Sequence, residues 1–322
     1  MHPFRFGVLD MSPVTHGPDW IKLIQSWESA GYDIVLFSDH FERSPVAPIP
    51  ALMAAAMATT TLRIGSAVLA NDFRQPAILA KELATIDLLS GGRLEVGLGA
   101  GWMLEDYEQS GIPMDPAPLR IDRMVETLDL LDQALRNELT SSSGPAYNVS
   151  GLVPVPSAAQ RPRPPLLIGG GGRRILQIAA RRADIVSCNW NLRNGQFDAT
   201  ALPTGNEAST DEQLEWVRSA AGSRFDELEL HLQVYLAEVT DDPVRAASRW
   251  CTGLGFDIDI DVDAVVASPH VMLGSLDQIV DKLERQRERW GFSYVSFYDS
   301  AAGAMAPVVQ ALAPDRRQAD RS

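Results

Sequence analysis

Cysteine is nearly absent. Only Cys188 and Cys251 occur in 322 residues, so no disulfide framework beyond one pair can form, and neither has a zinc-like neighbour. The histidines His2, His16, His231 and His270 lack metal-ligand spacing. The acidic run Asp257 to Asp263 alternates with Ile and Val, but it lacks the sixth-position glycine and twelfth-position glutamate of a calcium loop. It reads as a solvated edge, and no metal site is expected. No apolar run approaches the ~18 residues of a membrane span. The start, Met-His-Pro-Phe-Arg-Phe-Gly, has no apolar signal-peptide core, so a cytoplasmic location is expected. Positive charge is also scarce: 28 Lys and Arg face 42 Asp and Glu, a net charge of −14. A field of that sign repels nucleic acid and anionic membrane, and any anionic ligand must be held by local donors. A Gly-x-Ser-x-Gly elbow, a reactive-cysteine signature and a Walker loop are all missing.

What is present is an ordinary globular composition, 45% apolar and 22% charged, with a regular alternation of apolar runs and amphipathic stretches. Strands are predicted at Phe4 to Leu9, Tyr32 to Phe37, Leu62 to Leu69, Leu94 to Leu98, Leu166 to Ile168, Ala183 to Cys188, Leu228 to Val239 and Phe292 to Tyr298. Helical stretches separate them, among them Pro18 to Ala30, Gln75 to Leu89, Leu119 to Leu135 and a last helix at Ala304 to Leu312. Alternation alone suits an open sheet as well as a barrel. Eight strands, each followed by a helix, favour a closed α/β barrel, the (β/α)8 TIM fold, with loop insertions over its C-terminal mouth. Residues 1–313 are expected to form one domain and 314–322 a frayed tail. Asn137 to Pro165, rich in Ser, Gly and Pro, reads as an excursion over the mouth with a short strand near Tyr147, and Asp241 to Pro269 as irregular.

Four stretches can carry chemistry. Val35-Leu36-Phe37 ends in Ser38-Asp39-His40, a buried strand that delivers an acid and a histidine to the catalytic face; alternatively Asp39 caps the next helix and His40 is a packed surface residue. Gly169 to Gly172 turns from a strand into a helix. Glycines there let a phosphate approach backbone N–H groups at a helix N-terminus, with Arg173 and Arg174 adding charge, or they form only a tight turn. Gly97-Leu98-Gly99-Ala100-Gly101-Trp102 suits close approach of a planar ligand, with Trp102 as a flat wall or as lid packing. The small residues of Leu62 to Val68 leave room for a ring system or simply pack closely.

Together these stretches resemble the luciferase-like monooxygenase superfamily, and within it the branch that uses the deazaflavin coenzyme F420. The resemblance rests on Phe37-Ser38-Asp39-His40-Phe41, Leu62 to Val68, Arg74-Gln75-Pro76, Ser90-Gly91-Gly92-Arg93, Gly97 to Trp102, Ile168 to Gly172 with the following Ala-Arg-Arg-Ala-Asp, and Gly274-Ser275. It implies a bacterial-luciferase-like barrel with a deazaflavin or flavin across the mouth, and a non-proline cis peptide at Ala67-Val68 behind the ring. It further implies that Asp39 contacts the cofactor and helps fix the imidazole, that His40 faces the reacting ring, that Ala100-Gly101 lie along it, and that Gly170, Gly171, Gly172 and Arg173 hold its phosphate side. One departure matters: Trp102 stands where sugar-phosphate dehydrogenases of the group carry an acidic Glu, and Asn189 to Asn194 holds only Arg193 in place of their lysines.

The function expected is therefore an F420-dependent oxidoreductase acting on a small apolar or aromatic molecule, with His40 managing the proton and Met11, Trp102 and Trp190 around the substrate. Alternatives are a reduced-FMN monooxygenase and a non-catalytic cofactor-binding barrel. A separate F420 or flavin reductase is an expected partner, and a homodimer through the Ala/Met-rich Pro50 to Met57 face is the expected assembly.

Overall fold

A computed structural model describes residues 2–192, 195–196, 198–254 and 260–313. Strand β1 (Arg5–Asp10) leads to helix α1 (Gly17–Ala30), and β2 (Ile34–Phe37) to α2 (Pro48–Ala58). The third stave is split into β3 (Arg63–Ser66) and β4 (Leu69–Ala70) and precedes α3 (Pro76–Leu89). Strand β5 (Leu94–Gly99) is followed by α4 (Leu104–Ser110), α5 (Ala117–Leu135) and the hairpin β6 (Thr140–Ser143) and β7 (Asn148–Leu152). Then come β8 (Leu166–Gly170), α6 (Arg173–Arg182), β9 (Ile185–Cys188), α7 (Glu207–Ala221) and β10 (Glu229–Gln233). The chain finishes with β11 (Leu236–Val239), α8 (Pro243–Gly253), α9 (Val262–Ala267), β12 (Val271–Gly274), α10 (Leu276–Trp290), β13 (Phe292–Tyr298) and α11 (Asp299–Leu312).

Every neighbour in the large sheet is parallel, and β1 pairs with both β2 and β13 while β3 pairs with β5, so the sheet closes on itself. The eight expected strands are its eight staves. Parallel staves are covered on both faces and read as continuous apolar runs. In β2, Val35 and Phe37 pack outward against the helices, and Ile34 and Leu36 inward with Leu9, Leu167, Ile185 and Tyr294. Local signals end the helices. Gly31 and Gly291 close α1 and α10 at positive φ, and Ser275 with Gln278 forms a reciprocal capping box on α10.

The axis is filled from below. At the N-terminal end Glu95 accepts hydrogen bonds from Arg5 (2.6 Å) and Arg63 (2.6 Å), and Arg5 also pairs with Glu229 (2.6 Å). Higher up, Ser187 donates to His231 Nδ1 (2.7 Å), His231 Nε2–H donates to Ser296 (2.7 Å), and Ser296 donates to Gln233 (2.7 Å). Burial pushes the His231 imidazolium down to a pKa of about 3, so this ring is a neutral core group.

Three expectations are corrected. The run Leu228 to Val239 is two strands: after β10, Val234 still donates to Ser296 O, but Tyr235 donates to His270 O, and β11 pairs with β12 instead. The Asp241 to Pro269 stretch contains α8 and α9, capped by the Asp242 and Asp261 side chains and joined through Ala247, Cys251, Val265 and Val271. The Asn137 to Pro165 excursion lies mostly along the outside of the barrel, and Tyr147 reaches its upper end, where the Oη accepts from Asn71 Nδ2 (3.5 Å). Its hairpin lies along α5, where Glu126 accepts from the N–H groups of Ala146 and Tyr147. The following segment passes the lower end, where Asp87 accepts from Ala159 and Gln160. The expected tail at 314–322, along with Arg193, Asp257 and Asp259, lies outside the described residues.

Burial would raise the Glu95 carboxyl, but the charges and hydrogen bonds of Arg5 and then Arg63 outweigh it and hold the group below its ordinary value. The folded chain therefore keeps this charge to lower pH than the unfolded chain, whose glutamates titrate near ~4.3. The stability it contributes is complete above that value and is lost as pH falls through the folded one. Glu95→Gln leaves Arg63 without its carboxylate and should cost about 3–5 kcal/mol. It should also flatten the acid limb of stability against pH. Urea denaturation from pH 7 down to pH 3 measures both; a wild-type stability and slope would contradict the assignment.

Candidate active site at the barrel mouth

Beyond β2 the backbone turns sharply, and hydroxyls hold the turn. Ser38 and Ser44 share a hydrogen bond (2.6 Å), and the His40 N–H donates to Ser44 Oγ (2.9 Å). The Asp39 and His40 side chains leave this tip in different directions. Asp39 turns toward the third stave: it accepts from the Ala70 N–H (2.9 Å) and from both terminal nitrogens of Arg74, one at 3.0 Å. The His40 ring turns toward α4. Its Nδ1 lies 2.6 Å from Asp106 Oδ2, and the other Asp106 oxygen accepts from the Phe41 N–H (3.0 Å). Trp102 meets the imidazole edge-on, with centroids 5.5 Å apart at 77°. The expectation that Asp39 orients the imidazole is thus corrected. Its carboxylate is committed to Arg74 and Ala70, and Asp106 holds the ring.

The peptide Ala67-Val68 is cis, at the position the resemblance implies. Glycine on the neighbouring strand admits this bulge. A Cβ on Gly97 would stand 1.8 Å from the Ser66 carbonyl oxygen, and one on Gly99 would stand 2.6 Å from Val68 Cγ2. Ala67, Val68 and Met11 pack together at the top of the inner core. Met11 is fixed there by its N–H to Asp299 (3.1 Å).

Ala100 and Gly101 form a shelf braced from behind. Arg120 donates to both carbonyls, to Ala100 at 3.1 Å. Tyr107 donates to Asp72 (3.0 Å), which is held by Arg123 (2.8 Å). Gly101 has φ +73°, and a Cβ there would lie 2.1 Å from Tyr107 Oη.

On the opposite rim Gly170, Gly171 and Gly172 lead into α6, whose first turn has no side-chain cap. A Cβ on Gly171 would lie 2.4 Å from the Trp190 carbonyl. No ion pair among the described residues involves Arg173. Arg174 is taken by Asp122 (2.5 Å), which corrects its expected part in anion binding. Trp190 is corrected as a substrate contact as well: it is 2% exposed and packs on Tyr235, His270 and Trp250. A cavity of about 380 Å³ beside Gly171 is lined instead by Asn191, Leu192, Thr204, Gln213 and Trp216. A second of about 380 Å³ lies beside Arg43, Met103 and Gln196. His40 lines neither and stands 21% exposed on the open mouth.

Arg74, Ser44 and Asp106 were missed as site residues by sequence reasoning. Arg74 stood in a quoted motif without a role. Nothing in the spacing could link His40 to Asp106, which are 66 residues apart and meet only because β5 closes on the third stave.

A family profile for luciferase-like monooxygenases matches residues 1–201, and the chain belongs to that family. It is 31% identical over 231 residues to an F420-dependent glucose-6-phosphate dehydrogenase of Kribbella flavida, covering 68% of this chain and 64% of that one. It is 27% identical over 234 residues to an FMNH2-dependent dimethylsulfone monooxygenase of Pseudomonas putida, covering 70% of this chain and 60% of that one. The chain thus spans under two thirds of these relatives' lengths. Among solved structures, the coenzyme F420-dependent tetrahydromethanopterin reductase of Methanopyrus kandleri superposes with a TM-score of 0.76 at 18% identity, covering 97% of this chain and 99% of that one. That likeness concerns the fold.

Gly101→Ala should destabilise the protein by about 1–3 kcal/mol, because it combines a left-handed backbone with a clash at Tyr107. A chemical-denaturation midpoint equal to wild type would show the shelf to be looser than drawn.

Proposed function

We propose that the chain is a cytoplasmic F420-dependent oxidoreductase acting on a small apolar or aromatic molecule. The observation that carries this reading is the mouth itself. The cis bulge at Ala67-Val68 and the Arg120-braced Ala100-Gly101 stretch end neighbouring staves, with a histidine whose Nε2 has no hydrogen-bond partner among the described residues. The residues fit the cofactor. Gly97 and Gly99 leave the bulge its room, and the uncapped first turn of α6 with Gly170, Gly171, Gly172 and Arg173 suits a phosphate. When bound, F420 supplies hydride chemistry at its C5, and the protein supplies orientation and proton handling.

This chain's residues then have distinct tasks. Val68 and Ala67 support the ring from behind. Asp39, through Arg74 and the Ala70 N–H, anchors the loop that carries the bulge. His40 gives or takes the proton at Nε2. Trp102 places an apolar wall where an acid would favour a sugar, and Met11 closes the floor. The negative overall field fits an uncharged substrate, because only local donors favour an anion.

The similarity to an FMNH2-dependent monooxygenase supports a second reading, a flavin barrel served by a separate reductase; in the first reading a separate enzyme would re-reduce or reoxidise F420. Fluorescence titration with oxidised F420 and with FMN separates the two: the first reading requires tighter F420 binding, and FMN binding alone would replace it with the second. In the F420-loaded enzyme, His40→Ala should leave cofactor affinity within about twofold and slow turnover by ~10²–10⁴-fold. Unchanged turnover would remove His40 from the reaction. Exposed Met57 on α2 and Ile78 and Leu89 on α3 support pairing with a second copy through these helices. Sedimentation velocity should give a dimer, which Met57→Glu with Ile78→Glu splits; a wild-type monomer would end that part of the proposal.

A further inference from the structure

We propose that Asp106 is the positioning residue of the site: it fixes the His40 ring with Nδ1 protonated, so that Nε2 presents its lone pair to the mouth. The kinetic part of this inference rests on the functional reading above, but the tautomer part requires no ligand at all.

The geometry has three components. Asp106 Oδ2 lies 2.6 Å from His40 Nδ1, while Oδ1 accepts the Phe41 N–H at 3.0 Å. The carboxylate therefore binds both the imidazole and the backbone next to it, which keeps the acid beside the ring. Second, the Asp106 side chain is only 5% exposed, so water offers little competition for either oxygen. Third, Trp102 abuts the imidazole edge-on, which opposes rotation of the ring away from α4.

Which nitrogen holds the proton follows from the charge on Asp106. Burial pushes its carboxyl up, but the hydrogen bonds from His40 and the Phe41 N–H, and the nearby Arg43, outweigh burial and keep it below its ordinary range. At neutral pH the group is a carboxylate, which only accepts. The proton in the 2.6 Å contact then resides on Nδ1, and Nε2 of the neutral ring is an acceptor. Arg43 is the cation on the adjoining loop that acts on this pair. The other acids of α4, Glu105 and Glu108, are exposed. Asp39, next in sequence, is neutralised by Arg74. When a substrate heteroatom loses its proton, an N–H bond forms at Nε2 as the heteroatom–H bond breaks, and the imidazolium's charge then lies against Asp106. The same proton returns in the reverse direction. A ring held the other way round would present an N–H at Nε2 and could not take that proton.

The first test uses the ligand-free protein labelled with ¹⁵N-histidine, with His40 signals assigned by their loss in His40→Gln. At pH above its titration, wild-type His40 should show the Nδ1–H pattern, and Asp106→Leu should move it to the Nε2–H form that free imidazoles favour. A wild-type ring already in the Nε2–H form, or one unchanged in Asp106→Leu, overturns the proposal. The second test uses the cofactor-loaded enzyme. Asp106→Asn should lower kcat about 10²-fold or more, leave KM and cofactor affinity within about twofold, and displace the low-pH limb of kcat to lower pH, because the accepting ring has lost an adjacent negative charge. Asp106→Glu should restore part of kcat. A uniform reduction with an unchanged profile shape would assign Asp106 a structural role only and overturn the proposal. Failure of both F420 and FMN to bind would instead overturn the functional reading and leave the tautomer result standing.

Discussion

Closing eight parallel strands leaves a cylinder whose axis must be filled, and the Glu95 carboxylate governs how its lower end is filled. Glu95 stands 3% exposed between Arg5 and Arg63, a placement whose desolvation cost is offset only because both cations are hydrogen-bonded to it and Arg5 has Glu229 as a second partner. Above this plug, Ile34, Leu36 and Tyr294 make an apolar layer. The chain Ser187–His231–Ser296–Gln233 is satisfied link by link, whereas the Tyr294 hydroxyl in the inner layer is buried without a hydrogen-bond partner. With the axis closed, chemistry is confined to the upper rim.

The rim is shaped by backbone before side chains. The cis bulge at Ala67-Val68 presses against β5, and only glycine at positions 97 and 99 leaves it room. On the far side Gly171 lets the chain pass close to the Trp190 carbonyl. Both features bring backbone close against backbone at the rim. Almost all nearby cations are occupied: Arg74 by Asp39, Arg123 by Asp72, Arg120 by the carbonyls of the shelf. Polar chemistry at the mouth thus depends on few groups, and His40 Nε2 is one that no hydrogen bond among the described residues engages.

The staves were legible because most are short apolar runs of strand length set between helical stretches, and the glycine turns and the position of the bulge were legible through the family pattern. The failures have local causes. Leu228 to Val239 carries apolar residues along its whole length with no Gly or Pro to interrupt it, so nothing marks the place where the chain leaves Ser296 for His270. The Asp241 to Pro269 stretch looked irregular because its acids were read as a charge run, although Asp242 and Asp261 sit at N-cap positions and their side chains accept from the first turns. Trp190 was taken for a contact because large aromatics near a mouth often are; here the satellite formed by β11, α8, α9 and β12 covers it.

The pair Asp39-His40 shows why adjacency in sequence misleads at a strand tip. In extended backbone neighbouring side chains point to opposite sides, so an acid and a base next to each other in sequence are the least able to touch. The acid that serves the histidine must come from elsewhere. Here it comes from α4, carried to the mouth by the β5 stave and held by the Phe41 N–H. Asp39 is correspondingly free to neutralise Arg74 and tie the loop behind the bulge. The two carboxylates thus divide a task that the sequence seemed to assign to one: Asp39 holds Arg74 and the Ala70 N–H behind the bulge, and Asp106 holds the His40 ring. Trp102 completes the division. It meets the imidazole edge-on and also stands where the resemblance would place a third acid, so in the proposed reaction the proton would be handled by His40 with Asp106.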